Sequence, residues 1–478
     1  MTTVRKIAYN TIFSTGARII GVAFSLVILG MVARYLGKEG FGNYSLILAF
    51  LYVFDNLADL GLYSLMTKEI SRSEADEKKI VSNIFTLRIV VLLIFLGIAS
   101  AIIWLFPYSS QIKLGTIIAA ISYLFLSMGQ VLMGIFQKYL RTDKAALADI
   151  FGRIAQLAFV VLFIKLNLGL YGIIYALIIG CFINFILLFL FARQHIYFSL
   201  KIDFSYWKHI FKTTIPIAVS IVLTLIYFKI DSIFLSLPII NNHSLNPISD
   251  VGIYNIAYKI LEGLIFFPAM LVGLIMPLLS NTAFSSLEKF KQIFQKTLDV
   301  LIVLIVPLII GLLFLAKPIV ILVGGNEFSA SALPLQILSI AIGLIFLGNL
   351  FGSGIIALNK QKSGAWIYFA GMIFNIIANL IFIPKYRYLG AAATTTVTEL
   401  LVTILMIVLV YKAIRCFPKF NISKPIFAGI IMGFFLWFFK NWNLFILVGA
   451  AAVIYFIVLY LVKGIRKDEI ALLVKKQI

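Results

Sequence analysis

Residues 223–237, LTLIYFKIDSIFLSL, read as a helix crossing a lipid bilayer until Lys229 and Asp231 interrupt it. Fourteen residues of the 213–237 segment are Ile, Leu, Phe or Val, each contributing about −0.3 to −0.6 kcal/mol to insertion. A Lys and an Asp near the midplane oppose this by about 2.5–3.5 kcal/mol each. Facing lipid alone, the helix about breaks even. The two charges therefore require an environment of protein or water.

The rest of the chain sets this helix in a bundle. Of 478 residues, 62% are hydrophobic and 12% charged, and mean hydropathy is +1.07. A soluble domain is nearer half apolar and a quarter charged. Apolar stretches long enough for a bilayer core of about 30 Å recur at about 11–35, 43–66, 81–106, 114–137, 147–167, 170–192, 213–237, 251–279, 298–316, 333–357, 364–384, 389–411, 424–440 and 443–462. The fold class expected is an all-α polytopic membrane protein with about 14 transmembrane helices. The alternating short segments of a β-barrel are missing. The first stretch is too long for a signal peptide and lacks its cleavage pattern. Cys181 and Cys416 suggest neither a disulfide nor a thiolate metal site, and His195, His209 and His243 lack ligand spacing.

The net charge of +21 reports orientation rather than nucleic-acid binding. With a cytoplasmic N-terminus and alternating loops, the cytoplasmic segments hold 27 Lys and Arg and the outer loops 7, as the positive-inside rule requires. Both termini are then cytoplasmic and the plasma membrane is the expected location. Six basic residues remain within spans: Arg18, Arg34, Arg88, Arg153, Lys229 and Lys259.

The chain also resembles itself. EGFGNYSL (39–46) matches SDVGIYNI (249–256) at an offset of 210, LRTDKA (140–145) matches LNKQKS (358–363) at 218, and Gly172 falls on Gly390 at 218. Spans 1–6 then correspond to spans 7–12. An even number keeps both halves in one orientation, related by a pseudo-two-fold along the membrane normal, with a substrate site between them. The expected organisation is an N-terminal lobe, 1–194; a cytoplasmic linker with an interfacial helix, 195–212; a C-terminal lobe, 213–412; and spans 13–14 with a cytoplasmic tail, 413–478. Residues 201–212, KIDFSYWKHIFK, are the interfacial helix.

Helical spacing aligns the polar residues into faces. Span 1 presents Asn10, Ser14, Arg18, Gly21 and Ser25; span 2, Tyr52, Asp55, Asn56, Asp59 and Tyr63; span 4, Tyr123, Ser127, Gln130, Gly134 and Gln137. Span 7 aligns Ser220, Thr224, Tyr227 and Asp231, while Lys229, about 200° away, points elsewhere. Span 8 carries Tyr254, Asn255, Tyr258, Lys259 and Glu262; span 11, Asn375 and Asn379; span 12, Thr396, Glu399 and Thr403. Two such lobes facing one another would enclose a hydrated lumen. Plainer readings stand beside this one. Arg88 and Arg153 lie within reach of the interface, Asp149 and Arg153 are spaced to pair on one helix, and Lys229 can pair elsewhere or snorkel. The acids Asp55, Asp59, Asp231, Glu262 and Glu399 are too short to snorkel far, and such residues default to ion relays, substrate contacts or structural pairs.

An enzyme is not expected. The longest outer loop, KPIVILVGGNEFSASA (317–332), offers no catalytic constellation, its VGGNEF reads as a turn, and no zinc, phosphate-loop or Ser-His-Asp motif occurs.

ARYLGKEGFGNYSLILAF (33–50), LADLGL (57–62), YFKIDSIFLS (227–236), VGIYNIAYKI (251–260), KPIVILVGGNEFSASA (317–332) and IPKYRYLGAAATTTVTE (383–399) give the chain a resemblance to Wzx-like polysaccharide and oligosaccharide flippases of the multidrug/oligosaccharidyl-lipid/polysaccharide exporter superfamily. The resemblance implies movement of a polyprenyl-diphosphate-linked oligosaccharide from inner to outer leaflet by alternating access. It implies partners in membrane lipids, the lipid-linked glycan and the polysaccharide polymerase and assembly machinery, and no cofactor beyond coupling to a proton or sodium gradient. Candidate substrate or lumen residues are Arg18, Asp55, Asp59, Arg88, Gln130, Arg153, Lys229, Asp231, Tyr258, Lys259, Glu262, Asn375, Asn379 and Glu399. Asp231, Glu262 and Glu399 are the candidates for ion coupling. Arg18 matches in position the lumen arginine of related lipid-II flippases, although acids and bases here are nearly balanced. A MATE-like ion-coupled drug or cation antiporter and a lipid-II flippase are the alternatives.

Overall fold

The computed structural model describes residues 3–59, 61–72 and 75–464, without the side chains of 3–12, 14–15, 209, 212–213 and 215–227. The chain order is α1 (Thr3–Asp59), α2 (Leu62–Ile70), α3 (Glu77–Ile102), α4 (Ser110–Lys138), α5 (Thr142–Lys165), α6 (Gly169–Arg193), α7 (Phe204–Ser236), α8 (Pro247–Leu264), α9 (Phe266–Ser285), α10 (Leu287–Gly324), α11 (Ala332–Ala357), α12 (Gln361–Ile414), α13 (Ser423–Phe438) and α14 (Leu444–Leu461). Among the described residues the protein is all-helical, and ten helical segments are long and apolar enough to cross a membrane. Lipid offers backbone groups no hydrogen-bond partners, so the apolar runs must satisfy their own as helices. The protein is a polytopic helical membrane protein.

Helices and expected spans do not correspond one to one. Spans 1 and 2 share α1, broken at Gly37 (φ 64°, ψ 179°), a conformation that glycine adopts readily. Spans 11 and 12 share α12, broken at Arg387 (φ 55°, ψ −133°). Span 8 is divided into α8 and α9. The face drawn through Tyr63 does not continue from Asp59, because Gly61 turns left-handed (φ 71°) and starts α2. The outer loop expected at 317–332 is instead helical, with α10 running to Gly324 and a 3₁₀ segment at Asn326–Ser331. Only Gly325 (φ 87°) makes the expected turn. The helix expected over 201–212 begins later than its composition suggests. Residues 196–203 are non-helical, and from Phe204 one continuous α7 runs through the span to Ser236.

Two compact units divide the chain. The first holds the residues up to Asn255 with Val323–Gly325 and Ile383–Arg387; the second holds Ile256–Leu322, Asn326–Phe382 and the chain from Tyr388. In the first unit α6 packs against α4 and α5, and α1 against α5 and α7. In the second, α9 packs on α11 and α13 on α14, where Met432, Leu436, Leu447, Ala451 and Tyr455 form a buried cluster with Leu315.

The internal repeat has local structural counterparts. The turn after α4 closes with Arg141 N–H donating to Phe136 O at 2.8 Å, and the turn after α11 with Lys360 N–H donating to Ile355 O at 2.9 Å. Leu140 (φ 51°) and Asn359 (φ 56°) are left-handed at these turns, so the offset here is 219 rather than 218. At 218, left-handed Gly169 (φ 61°) matches Arg387 (φ 55°).

Candidate functional site

Three helices of the first unit bring opposite charges into one buried cluster. Asp55 and Asp59 are four residues apart on α1, hence on one face, and Arg88 of α3 reaches both. Arg88 Nη1 lies 3.1 Å from Asp59 Oδ1, and Nη2 lies 3.7 Å from Asp55 Oδ1. Arg88 Nη2 also donates to the Ser127 hydroxyl of α4. The guanidinium is 0% exposed and Asp55 3%. Arg88 therefore does not reach for the interface. Asp55 Oδ1 accepts no hydrogen bond although buried, leaving acceptor capacity inside the cluster.

Lys229 and Asp231 of α7 are both buried but separated by their helix rotation. Lys229 Nζ stands 5.4 Å from the centre of the Tyr52 ring on α1, a cation–π geometry in place of snorkelling. Asp231 Oδ2 accepts from the Tyr254 hydroxyl at 2.8 Å. One residue on, Asn255 Nδ2 donates to Ser232 Oγ at 3.0 Å. The residues after Gly252 thus supply the donors that hold the polar side of α7. The Ser220, Thr224 and Tyr227 side chains of the same expected face, and Asn10 and Ser14 of span 1, lie outside the described residues.

A second polar contact joins α5 to α1. Arg153 Nε donates to Asp149 Oδ2 at 2.9 Å, the expected i,i+4 pair, and Nη1 donates to the Ser25 hydroxyl. Gly21 makes room: a Cβ there would lie 3.1 Å from Asp149 Oδ2 and 3.3 Å from Arg153 Nε. Arg18, a turn earlier, is exposed, as is Gln130.

In the second unit, Lys259 Nζ donates to Glu262 Oε2 at 2.6 Å, with both side chains about one-third exposed. Tyr258 is buried. Asn379 Nδ2 donates to Asn375 Oδ1 at 3.0 Å, and Asn375 Nδ2 to Thr398 Oγ1 at 3.3 Å. Buried Glu399 adjoins this chain on α12. The Thr396 and Thr403 hydroxyls donate to Ile337 O and Leu344 O, tying α12 to α11.

One ionic site escaped the sequence reading. Asp250, 0% exposed, receives Arg387 Nε at 2.8 Å and Nη2 at 2.5 Å, and Asn241 Nδ2 at 2.9 Å. In the sequence Arg387 is one of the seven outer-loop basic residues and lies within the 383–399 motif. The available signal was Asp250 beside the repeated Gly-x-Tyr and Arg387 beside the repeat glycine Gly390.

These clusters place acids, bases and amides in the hydrophobic interior of a helical membrane protein. A family model described as polysaccharide biosynthesis protein matches residues 7–283. The chain is 22% identical over 440 residues to a probable low-salt glycan biosynthesis flippase, Agl15, of Haloferax volcanii, covering 90% of this chain and 88% of the relative. It is 24% identical over 422 residues to a putative O-antigen transporter of Shigella flexneri, covering 84% and 97%. In fold it is similar to the lipid II flippase MurJ in an inward closed conformation, with TM-score 0.76, 17% identity and 97% and 98% coverage. It is also similar to an inward-facing MATE-family multidrug resistance transporter, with TM-score 0.65, 13% identity and 85% and 98% coverage. With the family model spanning more than half its length, the chain belongs to the polysaccharide biosynthesis protein family.

Proposed function

We propose that the protein moves a polyprenyl-diphosphate-linked oligosaccharide from the inner to the outer leaflet by alternating access, for polysaccharide export. The observation that carries this reading is Arg88, fully buried between Asp55 and Asp59 among apolar helices. Burying such ions costs several kcal/mol each in desolvation, and intramembrane charges of this kind mark substrate or ion pathways. Arginine and lysine suit diphosphate oxygens, and the Asn, Thr and Tyr groups can exchange hydrogen bonds with sugar hydroxyls. The relatives' descriptions as flippase and O-antigen transporter support the same reading. The chain acts as a carrier without catalysis, in the plasma membrane, with both termini cytoplasmic and beside the polymerase and assembly machinery.

The near balance of acids and bases favours ion coupling as a component of transport. Asp231, Glu262 and Glu399 remain the proposed carriers, and Asp55 joins them because its buried Oδ1 accepts no hydrogen bond. A proton or sodium ion is the proposed coupling ion.

The test is reconstitution in sealed liposomes containing a polyprenyl-diphosphate oligosaccharide, following glycan exposure to an external probe. Exposure by the wild type that is lost in Arg88→Met and Asp231→Asn supports the proposal. Failure to expose glycan while a cationic dye is extruded down an imposed ion gradient would move the protein to drug antiport.

A further inference from the structure

At the start of α3 the chain builds a polar cavity of about 650 Å³, lined by Lys78, Lys79, Lys201, Asp76, Asp203 and Asn83 among others. Its second wall is the extended segment before α7, pinned along α3 at one-turn spacing. Ser199 N–H donates to Ser82 Oγ at 3.2 Å and Lys201 N–H to Thr86 Oγ1 at 3.0 Å. Phe198 anchors the segment, its ring 5.2 Å from that of Phe85.

Both carboxylates of the cavity already serve as helix caps. Asp76 accepts from Lys79 N–H and Asp203 from Tyr206 N–H, each at 3.0 Å. Asp203 also pairs with Lys79 Nζ at 3.3 Å. The Tyr206 N–H and then Lys79 hold its carboxyl below the usual carboxylate range, so it is charged at neutral pH. Lys78 Nζ rests 5.5 Å over the Tyr197 ring, a cation–π geometry. Asn83, also in the lining, is 1% exposed: its Nδ2 donates to Lys79 O at 2.9 Å, while Oδ1 accepts no hydrogen bond. The cavity thus combines three lysines with a buried amide oxygen that accepts no hydrogen bond. Around it Tyr197, Leu200, Ile202 and Phe204 are exposed, Phe204 by 76%. Exposed apolar and aromatic residues beside lysines at the end of a spanning helix belong at headgroup depth.

We propose that this cavity binds the phosphodiester headgroup of an anionic bilayer lipid bearing a free hydroxyl, with Lys78 and Lys201 on the phosphate and Asn83 Oδ1 accepting from the hydroxyl. The site lies outside the transport clusters and does not depend on what is transported. Bound there, the lipid would fasten the segment preceding α7 to α3.

The test is lipid retention by the purified full-length protein, read by native mass spectrometry after extraction from bilayers of equal phosphatidylglycerol and phosphatidylcholine. Preferential retention of phosphatidylglycerol is expected. It should fall by about fivefold for each of Lys78→Ala and Lys201→Ala, as a lysine at a charged lipid surface implies. Asp203→Asn keeps an N-cap residue while removing the charge that holds Lys79, so retention should rise. A folding defect would not produce that opposite response. Equal retention of the two lipids, or no change in either lysine variant, overturns the proposal. So does displacement of the lipid by millimolar glycerol 1-phosphate, which would make the ligand a soluble phosphate ester. Displacement by polyprenyl diphosphate in preference to phosphatidylglycerol would assign the cavity to the substrate path instead.

Discussion

Gly42 and Gly252 pack reciprocally at the two copies of the repeated Gly-x-Tyr motif. A Cβ on Gly42 would fall 2.0 Å from Ile248 O, and a Cβ on Gly252 would fall 2.0 Å from Lys38 O and 3.2 Å from Gly42 N. Residue 38 corresponds to 248 and residue 42 to 252 at the one offset of 210. The two contacts are therefore equivalent, as across a local two-fold axis, and small residues permit this backbone approach. The obstructing atoms are backbone carbonyls, which cannot swing aside as a side chain can.

Alanine at either glycine should therefore separate the two segments, destabilising the protein by about 1–3 kcal/mol or more. The double variant should cost less than the sum, because the first substitution already opens the contact. Thermal unfolding in detergent of the two single variants and the double variant checks this. Additive costs would mean that the two glycines do not share one contact.

Arg88→Met should destabilise by about 3–5 kcal/mol, as expected when one partner of a buried ion cluster is removed. Adding Asp55→Asn and Asp59→Asn should recover most of that loss without restoring transport. Unfolding curves and glycan exposure measured on the same samples separate the two effects.

Arg387→Ala leaves buried Asp250 without its bidentate partner, and a loss of about 3 kcal/mol is expected. Asp250→Asn in the same background should recover stability, since a neutral amide no longer requires a cation. Arg387→Gly should be less harmful than Arg387→Ala, because glycine tolerates the φ of 55° at this position. Ranking the three by unfolding temperature is sufficient.

Tyr254→Phe removes the hydroxyl donated to Asp231 at 2.8 Å. A cost of about 1.5–3 kcal/mol follows for a hydrogen bond to a charged group. If Asp231 carries the coupling ion, the ion dependence of glycan exposure should shift in this variant. Asp231→Asn should abolish the dependence. Exposure rates measured across imposed proton and sodium gradients report both.

The individual charges were only partly legible in the sequence. Asp55, Asp59 and Asp231 stood out because an acid within an apolar run is costly wherever it points. Their partners did not stand out, since Arg88 also had a plausible route to the interface and Tyr254 was one of several polar residues on its helix. Asp250 and Arg387 lie 137 residues apart, beyond any helical periodicity. Residues 201–212 have the composition of an interfacial helix, yet the chain leading into them is not helical before Phe204. It is held extended up to Asp203 by Ser82 and Thr86, through hydrogen bonds that no local pattern announces.

The sequence by itself determined that this chain is a helical membrane protein with an internal repeat, because apolar length and the need to satisfy backbone groups in lipid leave almost no other structure. It also determined that polar groups occur within the spans, since composition and position are read directly. Only the tertiary structure decided which charges meet. Pairing depends on how each helix is rotated and how closely its neighbours approach, and a glycine at position 42 or 252 sets that approach through contacts with residues about 200 positions away.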